Sequence, residues 1–291
     1  MSEVSLEKRH KTFAEKILFP KKSVNSANLQ DQVAGKVILI TGASYGIGEC
    51  LALQLGKAKG HLILVGRTAE KLEAVKNQII EVGGKATVFA VDLRNDQEIQ
   101  ALIEKLKSLG GADLFVNNAG KSIRRPISES LDRYHDFSRT MAINYEAPVK
   151  LMLALTPQLK EKQGHVINVS AINVLMAPAP FWAAYQASKT AFDQWYRSAR
   201  PELEYMGIKV TTIYLPLVRT RMIAPTKAYD KVPAMTPEHV ATIISKYIVS
   251  QKRVFKPWWS WFGIVGSVLF RRTWERSTRK QVKKQQASEK A

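Results

Sequence analysis

The chain has very little cysteine and comparatively few acidic side chains. Cys50 is the single cysteine among 291 residues, so no disulfide can form within the chain, and a reducing, cytoplasmic setting fits best. The 25 Asp and Glu residues are outnumbered by 44 Lys and Arg residues, which leaves a formal net charge of +19. This excess predicts attraction to an anionic partner: a nucleic acid, an anionic membrane or a phosphorylated ligand.

Long apolar segments and metal-binding clusters are also missing from the sequence. The first residues lack a continuous apolar run, so we do not predict a secretory signal peptide. The apolar run at 258–270 would be about 20 Å long as a helix, whereas the hydrocarbon core of a bilayer is about 30 Å thick. This run is therefore not predicted to span a membrane. No His, Cys and Asp cluster has the spacing of metal ligands, so no metal site is predicted.

Short apolar runs alternate with helical patterns through the middle of the chain. The runs lie at 36–43, 61–66, 86–92, 113–118, 165–170 and 209–215. Helical periodicity fills the intervals, including one long region at about 129–162 and another at about 183–206. This alternation predicts a single doubly wound, Rossmann-type α/β domain at 35–256, with a parallel sheet and helices on both faces.

The two ends of the chain differ from this domain in composition. Residues 1–34 form a basic extension, where Leu6, Phe13, Ala14 and Ile17 recur at helical spacing and predict a short amphipathic helix. It is equally open whether this helix contacts a membrane or docks on the body.

Residues 257–291 form an apolar and basic tail. Tryptophans that stand beside basic residues suit the interface of an anionic membrane. The residues concerned are Trp258, Trp259 and Trp261, with Phe262, Arg271, Arg272, Arg276, Arg279 and Lys280. The alternative is a lid helix that covers a lipid pocket of the same subunit.

A glycine-rich turn, TGASYGIG at 41–48, joins the first predicted strand to the following helix. Glycine lets a backbone approach a pyrophosphate, and a helix N-terminus presents free N–H groups to an anion. The spacing differs from the G-x-G-x-x-G fingerprint, but the mechanics are the same. We therefore predict nucleotide contacts from Gly42, Ser44, Tyr45, Gly46, Ile47 and Gly48.

The end of the second predicted strand indicates which nucleotide binds. An NAD site needs an acid there for the ribose 2′-hydroxyl, but this chain has Gly66 and Arg67, with no acid before Glu70. An arginine at this point pairs with a 2′-phosphate. We therefore predict NADP(H) as the cofactor.

Tyr185 and Lys189 stand four residues apart in a predicted helix, so their side chains share one face. A cation about 4 Å from a phenol contributes roughly 4 kcal/mol, which lowers its pKa by about 3. One interpretation is a tyrosine whose pKa is depressed, so that it exchanges protons near neutral pH. The other is a surface tyrosine beside a solvated lysine, and the rest of the chain has to decide between them.

The glycine-rich turn, NNAG at 117–120, Asn144 and the pair Tyr185 and Lys189 occur in order at intervals that resemble the short-chain dehydrogenase/reductase family. The resemblance covers about residues 33–255. The segments 117–125, 132–145 and 216–226 look more narrowly like the bacterial fatty acyl-CoA reductases of this family, including the Acinetobacter type.

The resemblance implies a catalytic role for four side chains. Tyr185 would donate a proton, Lys189 would lower the tyrosine pKa and bind the nicotinamide ribose, and Asn144 would hold a water that links Lys189 to solvent. The family serine that bonds the substrate oxygen falls at Ala171, and the preceding interval is one residue longer than usual. Either Ser170 is shifted into this role by the longer loop, or the site lacks its serine. Ser170 is the predicted replacement, with Asn173 as a weaker substitute.

The resemblance also implies further cofactor contacts. Asp92 and Leu93 would form the adenine pocket, Asn118, Ala119 and Gly120 would line the ribose, and Pro216, Val218 and Thr220 would contact the carboxamide and pyrophosphate. Arg124, Arg125, Arg219 and Arg221 are candidates for contact with CoA phosphates.

These features predict an NADPH-dependent oxidoreductase that reduces a lipid carbonyl at a membrane surface, and the resemblance implies reduction of a fatty acyl-CoA to the aldehyde. The alternatives are a ketone, hydroxysteroid or 3-oxoacyl-type reductase, and a catalytically silent nucleotide-binding membrane protein. Nucleic-acid binding is not expected, because the basic tail is interleaved with apolar residues rather than mounted on a nucleic-acid-binding fold. The resemblance implies a homo-oligomer. The composition of the tail predicts a cytoplasmic protein with peripheral association at the inner face of the membrane.

Overall fold

A seven-stranded parallel sheet forms the centre of the protein. The computed structural model describes residues 12–224, 226 and 229–290, with side chains described as far as residue 284. The strands are β1 (Val37–Thr41), β2 (His61–Gly66), β3 (Lys85–Ala90), β4 (Leu114–Asn117), β5 (His165–Ala171), β6 (Lys209–Leu215) and β7 (Val254–Phe255). Their order is β3-β2-β1-β4-β5-β6-β7. Each of the six predicted runs forms one of the strands, and β7 is too short to have shown a pattern.

Eleven α-helices lie in the described part of the chain. They are α1 (Phe13–Leu18), α2 (Ser26–Val33), α3 (Ile47–Lys57), α4 (Ala69–Glu81), α5 (Asp96–Ser108), α6 (Tyr134–Met141), α7 (Ala147–Glu161), α8 (Ala183–Tyr205), α9 (Pro237–Ser250), α10 (Ser260–Leu269) and α11 (Arg271–Lys290). Among the described residues, no helix combines the length and apolar character that crossing a bilayer requires.

Alternate residues of β1 point into two separate cores. Ile38 and Ile40 pack with apolar side chains of α2, α3, α4 and α9. Leu39 packs on the other face with side chains of α5, α7 and α8. Successive side chains of a strand face opposite sides of a sheet, so a strand that is apolar at every position needs helices on both faces. The predicted doubly wound fold is confirmed.

The long helical region predicted at about 129–162 is interrupted in the structure. The helix α6 ends at Met141, a π-helical turn occupies Ala142–Glu146, and α7 continues from Ala147. One extra residue in a turn leaves the apolar periodicity almost unchanged, so the sequence pattern could not reveal it. Such turns occur frequently at functional sites, and this one carries Asn144.

Residues 12–34 pack on the body of the protein. Leu29 and Val33 of α2 belong to the same core as β1. Glu15 of α1 is buried and forms an ion pair with Arg219, with 2.5 Å between Oε1 and Nη2, and also accepts the Ala234 N–H. Burial raises the pKa of Glu15, but hydrogen bonds from Arg219, Thr12 and Ala234 outweigh it and lower this pKa to about 2. The division into 1–34, 35–256 and 257–291 stays a prediction, and Leu6 lies outside the described residues.

The strand order reverses direction at β1, which has β2 on one side and β4 on the other. The carboxyl ends of the strands on both sides open into a crevice at this switch point, where doubly wound proteins bind ligands. A cleft of about 430 Å³ lies there, and it is lined from the ends of β1, β2, β5 and β6 and from the loops that follow β3 and β4.

Candidate active site

The glycine-rich turn is built so tightly that only glycine fits at two of its positions. Gly42 has a φ of +67°, and a Cβ placed on Gly48 would lie 2.2 Å from the carbonyl oxygen of Gly42. Gly46 precedes the first turn of α3, and Thr220 stands beside it. The turn therefore brings backbone N–H groups and a helix N-terminus to the cleft without a covering side chain.

The NNAG loop holds this turn in place. Asn118 Nδ2 donates to the carbonyl oxygens of Thr41 and Gly42 at 3.0 and 3.1 Å. Thr41 Oγ1 in turn accepts the N–H groups of Asn118 and Ala119, both at 3.1 Å. The Asn118 carboxamide thus ties β4 to the end of β1, and the loop lines the cleft beside it.

Arg67 places a positive charge at the part of the cleft that follows β2. Arg67 follows Gly66 and lines the cleft, and Ser44 Oγ lies over Gly66. Asp92 is held by Arg94, whose Nε donates to Oδ1 at 2.9 Å. This hydrogen bond, with the nearby charges of Arg94 and Arg67, keeps the pKa of Asp92 below its usual value despite its partial burial. The Asp92 carboxylate therefore serves Arg94, while its neighbours Val91 and Leu93 line the cleft.

Tyr185 and Lys189 share the cleft-facing side of α8, but they do not influence each other as the spacing predicted. Burial, with a smaller contribution from Tyr229, raises the pKa of Tyr185 to about 12. Burial alone lowers the pKa of Lys189 to about 8, and its Nζ donates to the Val169 carbonyl oxygen at 3.5 Å. The expected depression of the tyrosine pKa by the lysine is thus wrong for this structure, because burial dominates both groups.

Asn144 joins the segment after the NNAG loop to α8. Its Oδ1 accepts the Lys121 N–H at 2.9 Å, and its Nδ2 donates to Lys121 O and Ser188 Oγ, both at 2.9 Å. A Cβ on Gly120 would lie 3.0 Å from Asn144 Oδ1 and 3.3 Å from Lys189 Nζ, so the two side chains meet at this glycine. Both N–H groups of the Asn144 side chain donate to protein atoms. The water that the resemblance implies would therefore have to donate a hydrogen bond to an oxygen atom of Asn144.

Ser170 and Asn173 both line the cleft at the end of β5. Ser170 is 5% exposed and pairs in register with Tyr214 of β6. Asn173 lies in a short 3₁₀ turn, Ile172–Leu175, and its carbonyl oxygen accepts from Gln186 Nε2 at 3.0 Å. The side-chain oxygen of Asn173 is buried and has no hydrogen-bond partner among the described residues.

An aromatic wall beside Tyr185 was missed by the sequence reasoning. Trp182 contacts Tyr185 edge-on, with ring centroids 5.8 Å apart, and stacks on Tyr229 at 6.0 Å. Leu217 and Ile223 continue this apolar side of the cleft. Trp182 precedes α8 by one residue, so its nearness to Tyr185 was a usable signal. Tyr229 is distant from Tyr185 in sequence, so no local pattern indicated that the two side chains are neighbours.

The structure brings most of the predicted site residues together. The cleft is lined by Gly42, Ser44, Tyr45, Ile47, Arg67, Leu93, Asn118, Ala119, Gly120, Ser170, Tyr185, Lys189, Pro216, Val218 and Thr220. Gly46 and Gly48 shape the turn behind this lining, Asp92 bonds Arg94, and Asn144 lies behind Gly120. Among the described residues, no group of three or more His, Cys, Asp and Glu side chains could hold a metal ion.

Comparison with known proteins shows the family of the chain. A family model described as short chain dehydrogenase matches residues 36–231. A fatty acyl-CoA reductase of Acinetobacter baylyi is 46% identical over 229 residues, which cover 78% of this chain and 77% of that protein. A fatty acyl-CoA reductase of Mycobacterium tuberculosis is 43% identical over 225 residues, 76% of each chain.

A solved structure shows the same fold. It is a metagenomic short-chain oxidoreductase in complex with NADP, 28% identical, with a TM-score of 0.66 over 77% of this chain and 96% of that one. The glycine-rich turn, the NNAG loop and the Tyr185 and Lys189 pair lie within the matched residues 36–231. The chain therefore belongs to the short chain dehydrogenase family of oxidoreductases.

Proposed function

We propose that the protein is an NADPH-dependent reductase of a lipid carbonyl, and that its main reaction converts a fatty acyl-CoA to the fatty aldehyde. The observation that carries this proposal is the position of Tyr185 at an apolar, aromatic-walled part of the cleft, beside Trp182 and Tyr229, with Arg67 lining the same cleft after β2. Two relatives above 40% identity that are named fatty acyl-CoA reductases support the choice of substrate.

The cleft fits NADP(H), which supplies a hydride when it is bound. A Cβ at Gly48 would lie 2.2 Å from the Gly42 carbonyl oxygen, so only glycine permits this close turn. The Gly46 N–H already donates to Glu49 Oε2 at 3.2 Å, and the Ile47 N–H, in the first turn of α3, is the proposed donor to the pyrophosphate. Arg67 is placed for the 2′-phosphate, beside the Ser44 hydroxyl.

The proton that reduction requires is held on Tyr185. Because burial raises its pKa to about 12, the phenol stays protonated at neutral pH and is ready to donate. Lys189 carries its positive charge below its pKa of about 8 and stabilises negative charge that develops nearby. Ser170 is the proposed hydrogen-bond donor to the substrate oxygen, and Asn144 positions the loop that carries Gly120 against Lys189.

With an acyl-CoA, the thioester carbon gains the hydride and its oxygen takes the Tyr185 proton. Collapse of this adduct breaks the carbon–sulfur bond, which releases the aldehyde and the CoA thiolate. The hydroxyl proton of the adduct returns to the Tyr185 phenolate as this bond breaks, and the thiolate is then protonated from solvent.

The rim of the cleft suggests how an acyl-CoA is held. The apolar side formed by Trp182, Leu217 and Tyr229 suits an acyl chain. Of the four arginines considered for CoA phosphates, Arg125 and Arg219 hold Asp136 and Glu15 in ion pairs.

The other two arginines lie against aromatic rings. Arg124 lies 4.7 Å from the centroid of the Phe181 ring, and Arg221 lies 5.4 Å from that of Tyr45. Aromatic rings of this kind hold a guanidinium in place while its N–H groups still reach an anion. We propose that these two contact the CoA phosphates.

The test is NADPH oxidation by the purified protein with acyl-CoAs of increasing chain length, fatty aldehydes and ketones. Aldehyde formed from acyl-CoA, absent in Tyr185→Phe, would support the proposal. Turnover of ketones or 3-oxoacyl substrates alone would favour the second reductase reading. NADPH binding with no turnover of any substrate would favour a catalytically silent protein.

We also propose that the enzyme is a homo-oligomer and works in the cytoplasm at the inner face of an anionic membrane. The family resemblance supports the first statement. The single cysteine and the composition of the tail support the second.

A further inference from the structure

The helix α1 and the residues just before α10 meet on one side of the molecule. Trp258, just before α10, donates its indole N–H to the carbonyl oxygen of Ile17 in α1 at 3.4 Å. Trp259 turns the other way and packs on Phe19, with ring centroids 6.4 Å apart. Trp259 therefore anchors α10 to the body, which corrects the expectation that it joins its neighbours at a membrane.

Large apolar side chains around this junction remain exposed, and we call them the aromatic face. Between 51% and 79% of the accessible surface of each is exposed. The aromatic face consists of Phe13, Ile17, Trp258, Trp261, Phe262, Val268, Leu269 and Phe270. A group of this size is rare on a surface that contacts only water, so it indicates a binding surface.

The helix that follows the aromatic face is strongly basic. Its described side chains include seven Lys or Arg residues and a single acid, Glu275, which pairs with Arg271 at 3.1 Å. The seven are Arg271, Arg272, Arg276, Arg279, Lys280, Lys283 and Lys284, and all are exposed. An apolar segment followed by concentrated positive charge matches the layers of an anionic lipid surface.

The same segment also lies against the loop that walls the cleft. The helix α10 approaches so closely that a Cβ on Gly263 would lie 2.7 Å from Met176 Cε. Trp274 of α11 donates its indole N–H to the carbonyl oxygen of Pro178 at 3.2 Å. Ala179 and Trp182, in the continuation of this loop, line the cleft. The aromatic face and the apolar side of the cleft are thus separated by one loop.

We propose that the aromatic face binds an anionic lipid surface, with α10 in the plane of the interface and α11 on the headgroups, and that lipid substrates enter the cleft beside this contact. The second part rests on the proposed reductase function, while the first does not. Pairing of two aromatic faces in a dimer is disfavoured, because it would bring two sets of seven like charges together.

The test uses the full-length protein and vesicles of phosphatidylglycerol and phosphatidylcholine, with pure phosphatidylcholine as the neutral comparison. The wild type should sediment with the anionic vesicles, and its binding should weaken as salt rises. Each basic residue near the surface contributes about fivefold in affinity, so Arg272→Gln with Arg276→Gln should weaken binding by roughly 25-fold. The pair Trp261→Ser and Phe262→Ser should weaken it at least about tenfold.

Matched controls lie at the opposite, amino-terminal edge of the sheet. Lys57→Gln with Lys85→Gln removes two exposed charges, and Ile80→Ser with Tyr205→Ser removes two exposed apolar side chains. Both pairs should bind vesicles as the wild type does. All variants should reduce a short, soluble substrate at the wild-type rate, whereas the two tail variants should lose activity on long-chain substrate presented in vesicles.

Several outcomes would overturn the proposal, and they differ from a failure of the reductase function. If the wild type stays in the supernatant at low salt but reduces a soluble substrate, the lipid-binding proposal is wrong and the reductase function stands. If the oligomeric mass of the tail variants falls while their vesicle binding is unchanged, the aromatic face is a contact between subunits instead. If the protein binds vesicles but reduces no substrate, the lipid-binding proposal stands and the reductase function is wrong.

Discussion

Replacing Ser170 by alanine is expected to lower kcat about 100- to 1,000-fold. Ser170 is the proposed donor to the substrate oxygen, because Ala171 stands where the family resemblance places a serine. The loss of one such donor from a preorganised site costs about 2.7–4 kcal/mol, which corresponds to this range. Ser170 is only 5% exposed, so water is not expected to replace its hydroxyl.

Asn173 provides the comparison for this experiment. Its side-chain oxygen is buried without a partner among the described residues, and it lines the same cleft. If Ser170 bonds the substrate oxygen, Asn173→Ala should lower kcat less than about tenfold, which is within the net contribution of an ordinary hydrogen bond. Ser170→Thr keeps a hydroxyl at the same position and should recover a large part of the lost rate.

The assay is steady-state NADPH oxidation at saturating substrate, with NADPH affinity measured separately by fluorescence. Affinity within a few-fold of the wild type would show that the cofactor site is intact. The reasoning fails if Ser170→Ala keeps more than about a tenth of the wild-type kcat. A 100-fold loss in Asn173→Ala instead would assign the donor to Asn173.

Four further predictions follow from the site and its surroundings. Tyr185→Phe should lower turnover about 10²–10⁴-fold while NADPH affinity in a binding titration stays within a few-fold, because only the proton donor is removed. The pH–rate profile should fall as the pH rises through about 8, where Lys189 loses its charge, and Lys189→Arg should move this fall to higher pH. Arg67→Ala should raise the KM for NADPH about 10- to 100-fold and leave that for NADH within about twofold, since a charged hydrogen bond is lost only with the 2′-phosphate. Glu15→Gln should lower the free energy of unfolding, measured in urea, by about 3 kcal/mol at pH 7. Because the pKa of Glu15 is depressed from 4.5 to about 2, the difference between variant and wild type should shrink as the pH falls from 4.5 towards 2. A difference that stays constant over this range would contradict the ion-pair account.

The sequence by itself determined the parts of the protein that depend on local periodicity. Six apolar runs predicted six strands, because a strand buried on both faces is apolar at successive positions. The glycine-rich turn was recognisable because only glycine fits where the backbone at Gly42 and Gly48 is so close. Tyr185 and Lys189 were placed on one face because four residues complete about one helical turn.

The tertiary structure decided the properties that depend on residues distant in sequence. The pKa of Tyr185 is raised because the fold buries it beside Tyr229, and no spacing within α8 carries that information. Trp259 packs inward while Trp261 is exposed, because Phe19 from the other end of the chain lies under α10. Local sequence patterns report backbone geometry. Burial and ionisation depend on which distant segments the folded chain brings together, so they could be read from the tertiary structure alone.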